Sequence, residues 1–211
     1  MVILCKADEV YSVNKDILRV KSFKEIIHNS SFSFVEEIRI NQNGYYQKKV
    51  IENGYLILFT LENDIRLDMN GYKWKLDSNQ TFVYYLAEGN EFSIEGSARF
   101  DHSEILVMFL KLEFEPLEKV LVSTKVDKEN RLKKIIRHNL FNVYFGKYGL
   151  SKKGELPLKS KDRCWTVFPL LGDVEIYGQY LEAGKILQIY NNDFIAYESL
   201  ATESLIIAIE Y

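Results

Sequence analysis

The chain has 211 residues, 47% hydrophobic and 14% aromatic, enough for one sizeable domain or two of roughly 100 residues that each bury a core. A net charge of −3 leaves no basic surplus, which excludes the electrostatic footprint of a nucleic-acid binder. Three prolines, no Gly/Ser-rich tract and no run near the roughly 20 apolar residues of a membrane helix exclude a long disordered linker and a membrane-spanning helix.

Fourteen Tyr and 13 Phe among many Val, Ile and Leu favour strands over helices. The opening, MVILCKADEV, meets charge at Lys6, Asp8 and Glu9, too soon for the apolar centre of a signal peptide, so a cytoplasmic location is expected. Cys5 and Cys164 have no neighbouring Cys, and each falls in a stretch read as a strand. They are expected as buried free thiols, with a disulfide between them as the rival reading.

Period-two alternation dominates from there on. Ile65 to Met69 and Trp74-Lys75-Leu76 alternate apolar and polar side chains, the pattern of half-buried antiparallel strands. Asn70-Gly71 between them predicts a tight hairpin, because both residues tolerate positive φ. Asn43-Gly44, Asn53-Gly54, Gly89-Asn90 and Gly172-Asp173 add further turns, at a spacing that points to a sandwich or barrel.

The segment from Leu61 to Gly89 repeats between Leu170 and Tyr190. Leu61, Asp64, Ile65 and Leu67 match Leu170, Asp173, Val174 and Ile176 at a constant offset of 109. Leu76-Asp77 then matches Leu181-Glu182 at an offset of 105, and Phe82 and Tyr84 match Leu187 and Ile189. Each copy closes on an acidic residue and an apolar run, Glu104 to Phe109 and Glu203 to Ile209. The reading is two related β-modules, residues 1–115 and a smaller 116–211 that carries the connecting segment. Within that segment, VDKENRLKKIIRHNL puts Leu132, Ile135, Ile136 and Leu140 on one predicted helical face, and FNVYFG follows as a strand. Leu150 to Arg163 reads as a solvated loop, with a dock for an acidic partner as the sharper alternative.

A duplicated, aromatic-rich β-module with these turns resembles the cupin fold, and two in tandem look like a bicupin: all-β, two jelly-roll barrels. Within that class the chain resembles the pirin family. Ile3 to Glu9 is similar to the opening pirin strand, apart from Cys5 at the usual Arg. Ser31-Phe32-Ser33-Phe34-Val35, Gly44, Lys48 to Asn53 and Leu61 to Gly71 follow the family's later motifs in order.

Pirins are described as binding one iron through an H-x-H pair after the third of these motifs and a His and a Glu further on. Here Val50 to Asn53 runs almost directly into Tyr55 to Thr60 with no His between, and the later segment maps onto Phe92-Ser93-Ile94-Glu95. Ser93 replaces the His. A lone carboxylate cannot hold a catalytic transition metal, which wants about three protein donors with imidazole well represented. No cofactor and no catalytic residue is therefore expected.

Of the three histidines, His28, His102 and His138, the best placed as a ligand is His102 beside Asp101 and Glu104; an exposed turn residue is the plainer reading, and His138 is expected to be exposed. Glu95 reads as a remnant of a lost site, a binding residue at a barrel mouth, or a surface carboxylate. Tyr84-Tyr85 and Tyr55 are candidates to line a pocket, against core packing. The candidate binding set is Tyr55, Tyr84, Ser93, Glu95 and His102, for a small organic ligand, with a protein partner as the other occupant. Two alternatives remain. One is the metal-dependent quercetin-dioxygenase-like oxygenase implied by the resemblance, drawing on His102, Glu95 and Glu88. The other is a metal-free bicupin of the HutD/Ves type, linked to amino-acid catabolism, whose N-terminal tryptophan segment this chain lacks.

Overall fold

A computed structural model describes residues 2–5, 9–13, 17–23, 31–111, 120–123, 130–157, 163–190 and 194–211. They are organised in two units, Ala7–Lys125 and a second made of Val126–Tyr211 with Met1–Lys6. The first strand, β1 (Val2–Cys5), thus serves the second unit, where the sequence reading had simply placed a boundary after residue 115. Among the described residues there is no helix, and none is long and apolar enough to cross a membrane.

The first unit contains β2 (Glu9–Val13), β3 (Leu18–Ser22), β4 (Phe32–Asn41), β5 (Tyr45–Lys49), β6 (Gly54–Glu62), β7 (Ile65–Met69), β8 (Tyr72–Leu76), β9 (Gln80–Leu86), β10 (Glu91–Gly96), β11 (His102–Lys111) and β12 (Val120–Ser123). They form an antiparallel sheet in the order β12-β9-β6-β11-β4-β3-β2 and a smaller one, β5-β10-β7-β8. Period two decides which side chains go inside. Leu56 and Leu58 of β6, Phe82 of β9, Val107 and Phe109 of β11 meet Leu67 of β7 and Phe92 and Ile94 of β10 in one buried cluster. Each such side chain removed from water stabilises the fold by about 1.5–3 kcal/mol.

The second unit contains β13 (Lys133–Arg137), β14 (Asn142–Gly149), β15 (Lys153–Pro157), β16 (Cys164–Leu171), β17 (Val174–Ile176), β18 (Gln179–Leu181), β19 (Ile186–Tyr190), β20 (Phe194–Ser199) and β21 (Glu203–Glu210). Its sheets run β1-β19-β16-β21-β14-β13 and β15-β20-β17-β18, around a core that includes Trp165, Val167, Leu187 and Ile206. Apart from β2, which has no counterpart among the described residues, this is the order of the first unit, with β1 in the place of β12. Duplication extends to defects: the ladder between β6 and β11 skips Leu61, and that between β16 and β21 skips Leu170, the pair the offset of 109 had matched.

Three expectations change. The apolar run around Ile135 and Ile136 is strand β13 rather than a helix; Ile135 is an extra residue in its ladder with β14. The loop expected over Leu150 to Arg163 contains β15, paired with β20. Glu104 and Glu203 are not equivalents: Glu104 pairs with Glu62, whereas Leu205 pairs with Leu171 at the matching place. The predicted hairpin is confirmed, with φ of 52° at Asn70 and 79° at Gly71; in the second unit Tyr177 and Gly178 take the same conformation.

Candidate functional site

The inner face of the first barrel holds few donors. Phe34 stacks on Phe109 with ring centres 5.6 Å apart and on Phe92 at 6.4 Å, and Tyr46 packs on Phe92 at 6.0 Å. Beside them Glu36, 3% exposed, is already engaged: Tyr46 donates its hydroxyl to one carboxylate oxygen and Lys48 Nζ lies 2.6 Å from the other. Lys48 also sits 4.0 Å above the Phe34 ring. The Glu36 carboxylate is thus neutralised from within, and among the described residues the inner face leaves no converged set of ligand atoms.

The outer face of the smaller sheet is different. Ser93 and Glu95 alternate with the inward Phe92 and Ile94, so both project outward into an open groove of about 600 Å³. Register builds its floor from two cross-strand rows. One is Gln47, Ser93, Asp68 and Lys73; the other is Tyr45, Glu95, Arg66 and Lys75. Tyr45 is 64% exposed; Trp74, opposite Leu67 and so on the inward side of β8, is half-buried against Tyr72, Phe82 and Tyr84 with ring centres 5.5–6.0 Å away. Contacts within the groove are loose: Arg66 to Glu95 is 3.7 Å and Lys73 to Asp68 is 3.9 Å. Lys75 is drawn aside by Asp77 at 2.9 Å and Asp64 at 3.3 Å.

The remaining sequence candidates stand elsewhere. Tyr55 is buried on the opposite face of β6 from Leu56 and Leu58, edge-on to Tyr85 at 5.4 Å. Tyr84 supports Trp74 from behind. His102 lies at the start of β11, its Nε2 3.2 Å from Glu62 and 3.8 Å from Glu104. His138 is half-buried against Phe141, its ring centre 4.9 Å away, and His28 lies outside the described residues. Tyr45, Arg66, Asp68 and Lys73 were not singled out from the sequence; their alternation in β5, β7 and β8 marks an outer face, but only the strand order shows that they share it with β10.

The ligand atoms of His102, Glu62 and Glu104 lie within 4.8 Å of one another, close enough to share a metal, but the electrostatics oppose it. Arg39 Nη2 donates to His102 Nδ1 at 3.1 Å, which places the imidazole proton on Nε2, facing Glu62. A metal on Nε2 would need that proton on Nδ1, against a guanidinium. In the second barrel, Glu210 is 2% exposed and accepts from Asn142 Nδ2 at 2.7 Å and the Tyr144 hydroxyl at 3.0 Å, with Arg163 at 3.7 Å. Burial pushes the Cys164 thiol above its usual pKa, which removes it as a nucleophile at neutral pH.

Two jelly-roll barrels with matching strand order define a cupin-type bicupin fold. YhhW from Escherichia coli superposes on 100% of this chain and 97% of its own with a TM-score of 0.80 at 13% identity. The pirin YhhW in complex with nickel(II) matches 99% of this chain and 98% of its own, with a TM-score of 0.75 and 13% identity. A quercetin 2,3-dioxygenase from Acinetobacter baumannii covers 99% of this chain with 85% of its own length, at a TM-score of 0.75 and 12% identity. At such identities the likeness is one of fold. No family model and no curated relative matches the sequence. Among the described residues, the inner face of the first barrel does not fit a transition metal, its carboxylate Glu36 being engaged by Tyr46 and Lys48; Ser93 and Glu95, which the resemblance sets at the pirin His and Glu, face away from the interior.

Proposed function

We propose that this chain is a non-catalytic, pirin-like bicupin of the cytoplasm that binds a small organic molecule without a metal, in the groove over β5, β10, β7 and β8. One observation carries the reading. The inward positions of β10 are Phe92 and Ile94, part of a packed apolar cluster, while the polar residues of that strand open onto a groove. Among the described residues, chemistry that needs a metal inside this barrel finds no converged donors, whereas recognition on the outer face has hydroxyl, carboxylate, guanidinium and aromatic groups within one cleft.

The test is to incubate the purified chain with ferrous iron, remove the excess, and measure retained metal, then follow oxygen uptake with quercetin. The expected result is neither stoichiometric iron nor oxygen consumption. Iron held in equimolar amount together with oxygen uptake would replace this reading with a quercetin-dioxygenase-like oxygenase. A protein partner is the second reading, favoured by β8, which stands at the edge of its sheet among the described residues and where Tyr72 is 66% exposed.

A further inference from the structure

The geometry points to a neutral saccharide as the ligand class of the outer groove, an inference that rests on the groove being the binding site. Charge balance comes first. With Lys75 held by Asp64 and Asp77, the floor presents Arg66 and Lys73 against Glu95 and Asp68, two cations and two anions. A phosphate or carboxylate ligand needs a surplus of cations, and an ammonium ligand a surplus of anions; neither exists here. An apolar ligand would need an apolar floor, and both rows are polar apart from the Tyr45 ring.

A polyhydroxylated ring matches what remains. Each sugar hydroxyl both donates and accepts, and the floor alternates strong acceptors (Glu95, Asp68) with strong donors (Arg66, Lys73) around the small Ser93, whose hydroxyl has no protein partner among the described residues. The ion pairs across the floor are 3.7 and 3.9 Å long, so a hydroxyl that inserts between their members gives up little. The C–H face of a sugar packs on the negative face of an aromatic ring. Tyr45, 64% exposed, offers such a face at one side of the groove. Four strands at about 4.8 Å spacing make the floor about 14 Å wide, which suits a disaccharide.

The experiment titrates the full chain with cellobiose, maltose and N,N′-diacetylchitobiose, with glucose 6-phosphate and benzoate as counter-probes. The readouts are backbone amide shifts of Ser93, Glu95 and Tyr45. The expected result is that at least one disaccharide shifts these resonances with a Kd of about 1 mM, and that Tyr45→Ala weakens it about tenfold. Ser93→Trp, which fills the floor from an exposed position, should abolish the shifts without changing the fold. Glucose 6-phosphate or benzoate moving the same resonances while all three disaccharides leave them still would overturn the saccharide inference and keep the groove as the site. No probe moving any of them would overturn both.

Discussion

Ser103 and Ser204 make the same bond in the two barrels: each Oγ donates to the main-chain carbonyl of the aspartate that opens the hairpin, Asp64 at 2.9 Å and Asp173 at 3.3 Å. Both serines are 0% exposed, so the hydroxyl pins a turn that water cannot reach. Removing the Ser103 hydroxyl takes a buried partner from the Asp64 carbonyl, at a cost of about 1–3 kcal/mol, whereas the Asp173 carbonyl keeps the Leu200 amide at 2.9 Å. Ser103→Ala is expected to lower the unfolding free energy by that amount and Ser204→Ala by less, both read as a lower urea midpoint at unchanged m. A neutral result at both sites would show that water replaces the hydroxyl.

The same two aspartates set an acid limb. Burial raises the Asp64 carboxyl, but hydrogen bonds from Ser97 and Lys75 and the charge of Lys75 outweigh it and hold the pKa below its usual value. The hydrogen bonds from the Tyr180 hydroxyl and the Ala183 amide do the same for Asp173. A carboxylate with a depressed folded pKa contributes stability that is complete above the unfolded value of about 3.9 and is lost as pH falls through the folded one. The double variant Asp64→Asn/Asp173→Asn should therefore be less stable than the parent at pH 7, with the gap closing as pH falls below about 4. Urea midpoints measured across that range decide it; a gap that stays constant with pH would rule out the linkage.

Much of the fold is legible in the chain because hairpins write themselves locally. Asn70-Gly71 adopts the two positive φ values its composition demands, and the offset of 109 that matched Leu61 to Leu170 turns out to match two bulges. The false helix has a local cause too. Ile135 is an extra residue in β13, which sets two isoleucines side by side and turns a period of two into apparent spacings of three and four. Long-range placement left no local mark. Nothing in Val2–Cys5 tells that it pairs with Ile186–Tyr190, nor do Tyr45 and Arg66 announce that both flank Glu95. The groove is a product of strand order, and only Ser93 and Glu95 were picked out beforehand, through a resemblance rather than through geometry.

Gly54 separates steric need from turn chemistry. A Cβ there would stand 2.3 Å from the main-chain oxygen of Leu110 and 2.8 Å from the Phe109 ring, with backbone on one side that cannot yield. At Gly71 the φ of 79° is the cost, and nothing lies within 4 Å. Gly71→Ala should cost about 1 kcal/mol, and Gly54→Ala clearly more, in the range of about 1–3 kcal/mol seen for overpacked cores. Thermal unfolding of the two variants side by side checks the order; the reverse ranking would mean that β11 shifts to make room.

Arg39 is expected to keep zinc from His102. Its guanidinium donates to Nδ1 and so fixes the tautomer in which Nε2 carries a proton. Arg39→Glu supplies an acceptor for Nδ1–H instead, frees Nε2 for metal beside Glu62 and Glu104, and should tighten zinc binding about 10–100-fold over the parent. Competition against a chromophoric chelator measures it. Equal affinity in parent and variant would show that the ring takes its proton from elsewhere.

Glu36 and Lys48 test whether the first barrel tolerates its own buried charge. Lys48→Met leaves the carboxylate, 3% exposed, without its counter-ion 2.6 Å away, a change that costs about 3–5 kcal/mol when a buried pair is broken from one side. Glu36→Leu is milder, because the Lys48 side chain is 28% exposed and its ammonium can turn to water along its own apolar stem. The double variant Glu36→Leu/Lys48→Met should then recover most of the stability that Lys48→Met loses, which urea unfolding of all four proteins measures. Additive losses would mean that the Tyr46 hydrogen bond alone suffices for the carboxylate and that Lys48 owes its position to the Phe34 ring.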